Sequence, residues 1–504
     1  MKNVESKIIF MRNFVIMLFV MVSTVTLAAT VKNVKDTGSL EMAVAEAVEG
    51  TTIIMEDGVY NDVKLIVRTN GSSKENIVIK AKNPGKVFFI GDVRVELRGD
   101  YNVLTGVYFK DGARDTKIWK SHGPGLVAVY ADHCEVSECM FYDFDNANSA
   151  YITTSLDENG RVPQYCYIHH CAFIEKTTLD QVINFNNTPK KILDGEPGKP
   201  MYHRVSYCYF SNPPKKGNAG GGIRIGYWRK DYGRCLIDHN LFERQDSEPE
   251  IVTSKSMENV FYANTILNCQ GTLNFRHGDH QVALNNIFLG TDNKHDYGAM
   301  YVWGSDHIIG NNYVSLSRTL KSRGNAGIYF NCGSKASEHA LAFNIAMVSN
   351  TFENVNGAVF HFAPLYERRK EVYGEKLELP YNINFVNNFI SSRKVGAKIW
   401  AEVNGNSSKQ IWKDNVYYGY DNKVLSSNDG WTKGVVPIGI DKSTLKSILP
   451  YTSIEGINLD FVEILSKPLD LKPLKGTDVG PAWCEKFPGN YFDTGVFKRQ
   501  TASK

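Results

Sequence analysis

The sequence predicts an all-β chain wound as a parallel β-helix, a solenoid closed at its N-terminal end by a short helix. The first reason is a recurring phrase: a cysteine or asparagine at a bend, then an aromatic or branched residue two positions on. It reads Cys139-Met140-Phe141, Cys171-Ala172-Phe173, Cys208-Tyr209-Phe210 and Asn240-Leu241-Phe242. It continues as Asn264-Thr265-Ile266, Asn286-Ile287-Phe288, Asn312-Tyr313-Val314, Asn350-Thr351-Phe352, Asn388-Phe389-Ile390 and Asn415-Val416-Tyr417. With Val107-Tyr108-Phe109 opening the series, the steps are 32, 32, 37, 32, 24, 22, 26, 38, 38 and 27 residues. Loose repetition of this kind marks stacked supersecondary units. The second reason is that each phrase alternates as a strand does, as in Val282-Ala283-Leu284. The third is that no ten-residue helical stripe lies between phrases, which disfavours a doubly wound α/β sheet.

The elements follow in chain order. Lys7 and Arg12 precede an apolar run from Phe14 to Val22 and small residues ending at Ala28-Ala29. That order is the pattern of a secretory signal, so residues 1–28 are expected to be removed and the protein exported to a bacterial periplasm or secreted. From Ser39 to Gly50, the residues Leu40, Ala43, Val44, Ala47 and Val48 form a helical stripe able to cover the open apolar end of a solenoid. The coil then occupies residues 29–422, each turn stacking about 4.8 Å above the last. Cysteine or asparagine forms an inward ladder at the bend, where buried amides can satisfy one another. The nine cysteines are odd in number and fall into columns, with Cys134, Cys166 and Cys235 each five residues before a ladder position. They read as buried thiols rather than disulfides. Residues 423–504 read as an irregular extension packed on the solenoid.

A composition of 42% hydrophobic residues excludes disorder, and a formal charge of +3 is too small for an electrostatically driven nucleic-acid binder. No stretch approaches the roughly 20 apolar residues of a membrane span. A monomer is the expected state.

Ladder position gives each residue a phase on the coil. Asn218, Glu250 and Asn274 each lie ten residues after a ladder position, which stacks them in consecutive turns. Glu248 and Arg276 lie two residues to either side of this line and share its face, Arg323 joins one turn further, and Lys255 lies at the rim. Two carboxylates and an amide oxygen suit Ca²⁺; the same residues also read as a solvated glutamate pair balanced by cations. Gly220-Gly221-Gly222-Ile223-Arg224-Ile225-Gly226 imitates a phosphate loop but reads as turn glycine, since no helix follows. Trp303 and Tyr301 suit either sugar platforms or core. His277 and His280 lack a third His or Cys in their segment.

Two long runs bring a family into view. Arg244-Gln245-Asp246-Ser247-Glu248-Pro249-Glu250-Ile251, with Thr253-Ser254-Lys255-Ser256, is the first. Asn268-Cys269-Gln270-Gly271-Thr272-Leu273-Asn274-Phe275-Arg276-His277-Gly278-Asp279-His280 is the second. They resemble polysaccharide lyase family six, and within it the chondroitinase B type that cleaves dermatan sulfate, more than the alginate-cleaving members. Similarity extends over Trp119–Gly125, Lys321–Ala326, Ser337–Leu341 and Glu367–Lys370. The resemblance implies a right-handed β-helix, Ca²⁺ on Asn218, Glu248 and Glu250, Lys255 as base, and Arg276 beside the leaving oxygen. It implies His277 and Glu338 as supporting site residues, substrate contacts from Arg323 and Arg369, and a sulfated glycosaminoglycan as substrate; Trp303 is taken as a further substrate contact. An alginate lyase and a non-catalytic carbohydrate-binding β-helix are the competing readings.

Overall fold

The computed structural model describes residues 30–113, 123–142, 144–187, 198–217, 220–392, 398–419, 430–433, 440–467 and 470–484. The expected export signal, Trp119–His122 and Asn218 lie outside them. Three parallel sheets of 14, 12 and 14 strands run the length of the molecule and wind as a right-handed β-helix. Each turn contributes one strand to each sheet, for example Leu236–Asp238 to sheet A, Leu241–Glu243 to sheet B and Glu250–Ser254 to sheet C.

The corner between sheets A and B is where the recurring phrase acts. The residue before each ladder position adopts a left-handed conformation, as at His239 (φ 52°), Ala263 (φ 54°), Asn285 (φ 59°) and Asn311 (φ 54°). That bend turns the ladder side chain inward. Asn264 Nδ2 donates to Asn286 Oδ1 at 3.0 Å and to the carbonyl of Ile237 at 2.8 Å, while its Oδ1 accepts from Asn240 Nδ2 at 3.0 Å. The same bonds link Asn286, Asn312, Asn350, Asn388 and Asn415. Two residues on, Phe109, Phe141, Phe173, Phe210 and Phe242 stack with ring centroids 4.4, 5.1, 5.0 and 4.6 Å apart. These spacings equal the strand repeat, so one aromatic per turn fills the core without a gap. All nine cysteines are free, and eight are buried.

The cap is helix α1 (Thr37–Ala45), started by the Asp36 side chain, which accepts from the Ser39 amide. Leu40, Ala43 and Val44 face the core, but the helix stops a turn short of the expected stripe, leaving Val48 47% exposed. The Val48 amide donates instead to Thr51 Oγ1 at 2.9 Å, and Gly50 (φ 78°) swings the chain into the strand Thr52–Met55.

Beyond the last coil strands the described part of the extension carries two short helices. Helix α2 (Tyr366–Tyr373) precedes them within the coil; α3 (Lys442–Ile448) and α4 (Phe461–Ser466) follow. Leu445, Leu449, Ile454, Ile457, Phe461 and Leu465 pack on Val260, Val282, Leu284, Ile308 and Val348, the outer side of sheet A. The chain then crosses sheet B through Leu471, Leu474 and Val479 to Trp483, whose indole N–H donates to the Glu138 carbonyl at 2.8 Å. The extension therefore covers the outsides of sheets A and B. Sheet C keeps its outer face for the polar wall.

Candidate active site

Sheet C alternates Ile223-Arg224-Ile225, Val252-Thr253-Ser254, Leu273-Asn274-Phe275 and Met300-Tyr301-Val302. The apolar members point into the core, so Arg224, Thr253, Asn274 and Tyr301 lie side by side on the outer face.

The acidic pair sits at the entry to this face. Glu248 is only 4% exposed; its Oε2 accepts from the Gly220 amide at 3.1 Å and its Oε1 from Gln181 Nε2 at 3.5 Å. The glycine run is explained by this approach. A Cβ on Gly221 would lie 2.9 Å from Glu248 Oε1 and 2.4 Å from the Glu250 carbonyl, and one on Gly220 would lie 2.0 Å from Ser247 Oγ. Glu250 Oε1 pairs with Arg276 Nη1 and lies 3.9 Å from Arg323 Nη2, while its Oε2 accepts from Thr253 Oγ1 at 2.9 Å. Glu248, Glu250, Arg276 and Arg323 are thus brought together.

The expected stacking of Glu250 on Asn274 is corrected. A bulge between Glu250 and Val252 shifts the register, so Glu250 stands opposite Thr272 and Asn274 opposite Thr253. The extra residue turns Ile251 into the core and re-aims Glu250 at the arginines. Oxygen donors fit a hard cation here: besides the two carboxylates, Gln181 Oε1 is buried with no hydrogen-bond partner. No group of three or more His, Cys, Asp or Glu side chains placed to hold a metal ion occurs among the described residues.

Lys255 follows the strand Glu250–Ser254, its ammonium 5.8 Å above the Tyr227 ring. Burial chiefly, then the Arg224 and Arg276 charges, pull its pKa down to about 8 against the opposing pull of Glu250 and Glu248. Arg224 is itself 4% exposed and donates to Asn186 Oδ1 at 2.9 Å and Tyr227 OH at 2.8 Å. Sequence reasoning missed its role, although the Ile-Arg-Ile alternation carried the signal.

His277 donates from Nδ1 to the Tyr227 carbonyl at 3.2 Å and lies 3.8 Å from Glu338 Oε2. Burial first, then His339, Lys255 and Arg276, hold its pKa far below the usual value despite the bond to the Tyr227 carbonyl. His339, 4.7 Å away edge-on, is pushed down to about 3, also by burial first and then by Arg276 and Arg369. Both imidazoles are neutral at neutral pH. His339 was not anticipated.

Trp303 is corrected as a sugar platform: it is fully buried. The Arg369 guanidinium, carried on α2, lies 4.4 Å over its ring, and Tyr301 and His339 pack edge-on against it. Arg323 sits likewise 4.2 Å over Tyr301. The aromatic floor therefore carries both arginines. Arg368, beside Arg369, points to solvent.

The chondroitinase B family model matches residues 34–460. The chain belongs to the chondroitinase B family. No curated protein sequence matches it. Among solved structures it is similar to the PL6 family alginate lyase AlyGC, at 21% identity and a TM-score of 0.71 over 91% of this chain and 60% of that one. It is similar to a mannuronic acid-specific family 6 lyase from human gut microbiota, at 18% identity and a TM-score of 0.68 over 90% and 96% of the two chains. A PL6 family polysaccharide lyase from Pseudopedobacter saltans aligns at 22% identity and a TM-score of 0.64 over 90% and 99%. This chondroitinase B family chain thus spans about 60% of the length of AlyGC, and at these identities the likeness shows the fold.

Proposed function

We propose that this protein is a polysaccharide lyase that cleaves dermatan sulfate by β-elimination at the uronic acid, with Ca²⁺ held by Asn218, Glu248 and Glu250. One observation carries the reading: a half-buried amine whose pKa is drawn down to about 8, Lys255, shares a wall with a carboxylate pair and Arg276. A site for binding alone has no use for a base so placed.

In the proposed reaction Lys255, as the free amine, takes the C5 proton of the uronate. The C5 electron pair forms the C4–C5 double bond, the bond from C4 to the glycosidic oxygen breaks, and the freed oxygen takes up a proton. Bound calcium supplies neutralisation of the substrate carboxylate as negative charge builds beside it. Arg276 faces the departing oxygen and stabilises it as an anion. A guanidinium holds its own proton, so the proton comes from Lys255 or from water. Neutral His277, fixed by the Tyr227 carbonyl and flanked by Glu338, orders the opposite side of the reacting ring.

The groove also favours a polyanion rich in acceptors. Arg224 Nε, Asn274 Nδ2, Arg276 Nε and Arg369 Nε, all on or beside the outer face of sheet C, have no hydrogen-bond partner within the protein. Sulfate on the neighbouring hexosamine matches the planar fork of Arg369. Alginate is the second reading, favoured by the alginate lyases among the similar structures; it lacks sulfate and would not need Arg369 for sulfate recognition.

Export fits a substrate of this size. The test is a substrate panel of dermatan sulfate, chondroitin 4-sulfate, heparin and alginate, each with calcium or with chelator. Ultraviolet absorbance of the unsaturated product should grow on dermatan sulfate and vanish with chelator. Growth on alginate alone rejects the sulfated substrate, and binding without absorbance on any polymer rejects the lyase.

A further inference from the structure

His277 and Glu338 stand on connections from sheet C to sheet A that leave non-adjacent strands, Thr272–Phe275 and Ala326–Phe330. Such connections are mobile unless something ties them. Arg229, on a third connection that follows Ile223–Ile225, touches both. Its guanidinium donates to Asp279 (Nε to Oδ2 at 3.1 Å, Nη2 to Oδ1 at 3.1 Å), two residues past His277. Its Nη1 donates to the carbonyls of Lys335 and, at 3.2 Å, Ser337, the residue before Glu338. Its own backbone N–H donates to Glu338 Oε2 at 2.9 Å. Asp279 Oδ1 in turn accepts from the Ser305 amide at 2.9 Å, which anchors the cluster to the next turn.

We propose that Arg229 is a positioning residue: one side chain, 13% exposed, clamps the loops bearing His277 and Glu338 and sets their approach to the reacting sugar. The strands these loops leave are two steps apart in sheet C, about 10 Å at the usual strand spacing, and the strand before Arg229 lies four steps, about 19 Å, from the one before Glu338. The loop Asn331–Ala342 must therefore fold back along the groove to deliver Glu338. The fork of an arginine suits this task, since it meets a carboxylate and two carbonyls at once in fixed directions. A lysine offers a single point charge. Misplacement of supporting groups by an ångström lowers the chemical step far more than it weakens a polymer held along a whole groove.

The inference rests on the lyase reading, so its test has an arm that needs no activity. Wild type, Arg229→Met, Arg229→Lys and Asp279→Asn are compared by hydrogen exchange of the free protein and by steady-state kinetics on the polymer the wild type cleaves. Expected is faster exchange across residues 334–339 in Arg229→Met, partial recovery in Arg229→Lys, and an unchanged melting temperature. In turnover, kcat falls about tenfold with KM within twofold, and Asp279→Asn shows the same split more weakly. Unchanged exchange at 334–339 overturns the clamp. Faster exchange with unaltered kcat, or a loss carried by KM, overturns the positioning role. A wild type inactive on every uronate polymer sinks the lyase reading and, with it, the positioning of a reacting sugar, while the exchange arm still reports on the clamp.

Discussion

The corner between sheets A and B and the outer face of sheet C are built from the same coil, yet they treat polar atoms in opposite ways. In the asparagine ladder each amide both donates and accepts within the protein: Asn286 Nδ2 reaches the Phe261 carbonyl at 2.9 Å and Asn312 Oδ1 at 3.0 Å. On sheet C, donors such as Asn274 Nδ2 and Arg276 Nε are buried and left over. Buried polar groups without partners cost roughly 1–3 kcal/mol each, so a folded chain keeps several together only where something else supplies the acceptors. The closed network holds the scaffold; to the open one the proposed substrate would supply acceptors.

That contrast can be broken from the ladder side first. Asn286→Ala removes the acceptor shared by the Asn264 backbone amide and one hydrogen of Asn264 Nδ2, and the donor to the Phe261 carbonyl, so a loss of about 3 kcal/mol is expected in chemical denaturation. Turnover of the molecules that remain folded should be unchanged. A variant as stable as wild type would mean that the ladder is dispensable. From the wall side, Arg369→Ala removes a cation but no core contact beyond the face of Trp303. It should lower kcat/KM on dermatan sulfate roughly tenfold with little effect on unsulfated polymer, a charged hydrogen bond being worth about 1.5–3 kcal/mol. Equal losses on both substrates would remove Arg369 from sulfate recognition.

The smallest effect concerns the amine. Lys255 has a lowered pKa, near 8, and its reactive form is the neutral one, so the rate should rise with pH through that value. Arg224 helps to depress it; Arg224→Gln therefore raises the Lys255 pKa and moves the rising limb to higher pH. A limb that stays in place in the pH–rate profile would separate Arg224 from the base.

The same contrast explains what could be read before the fold was known. Ladder residues such as Asn240, Asn264 and Asn286 announce themselves because each coil needs one amide at one phase. Glu248, Glu250, Lys255 and Arg276 could be gathered on one wall by counting from them. Counting failed where geometry is not periodic. The bulge at Glu250 changes which residue faces Asn274, and nothing local marks it. Trp303 is buried because α2 brings Arg369 over it from more than sixty residues away. Arg229 and Glu338 meet across 109 residues through a folded-back loop. The helices of the extension did carry a local signal: Asp441 and Asp460 cap α3 and α4 by accepting from the amides of Thr444 and Glu463.

Single-turnover formation of the unsaturated product from dermatan sulfate by Lys255→Ala tests the central claim most directly, since it isolates proton removal from binding and release. With the variant folded, calcium present and substrate bound, the absorbance should grow at least a thousandfold more slowly than in wild type, about the upper range of general-base catalysis. Growth at the wild-type rate would show that another group takes the proton.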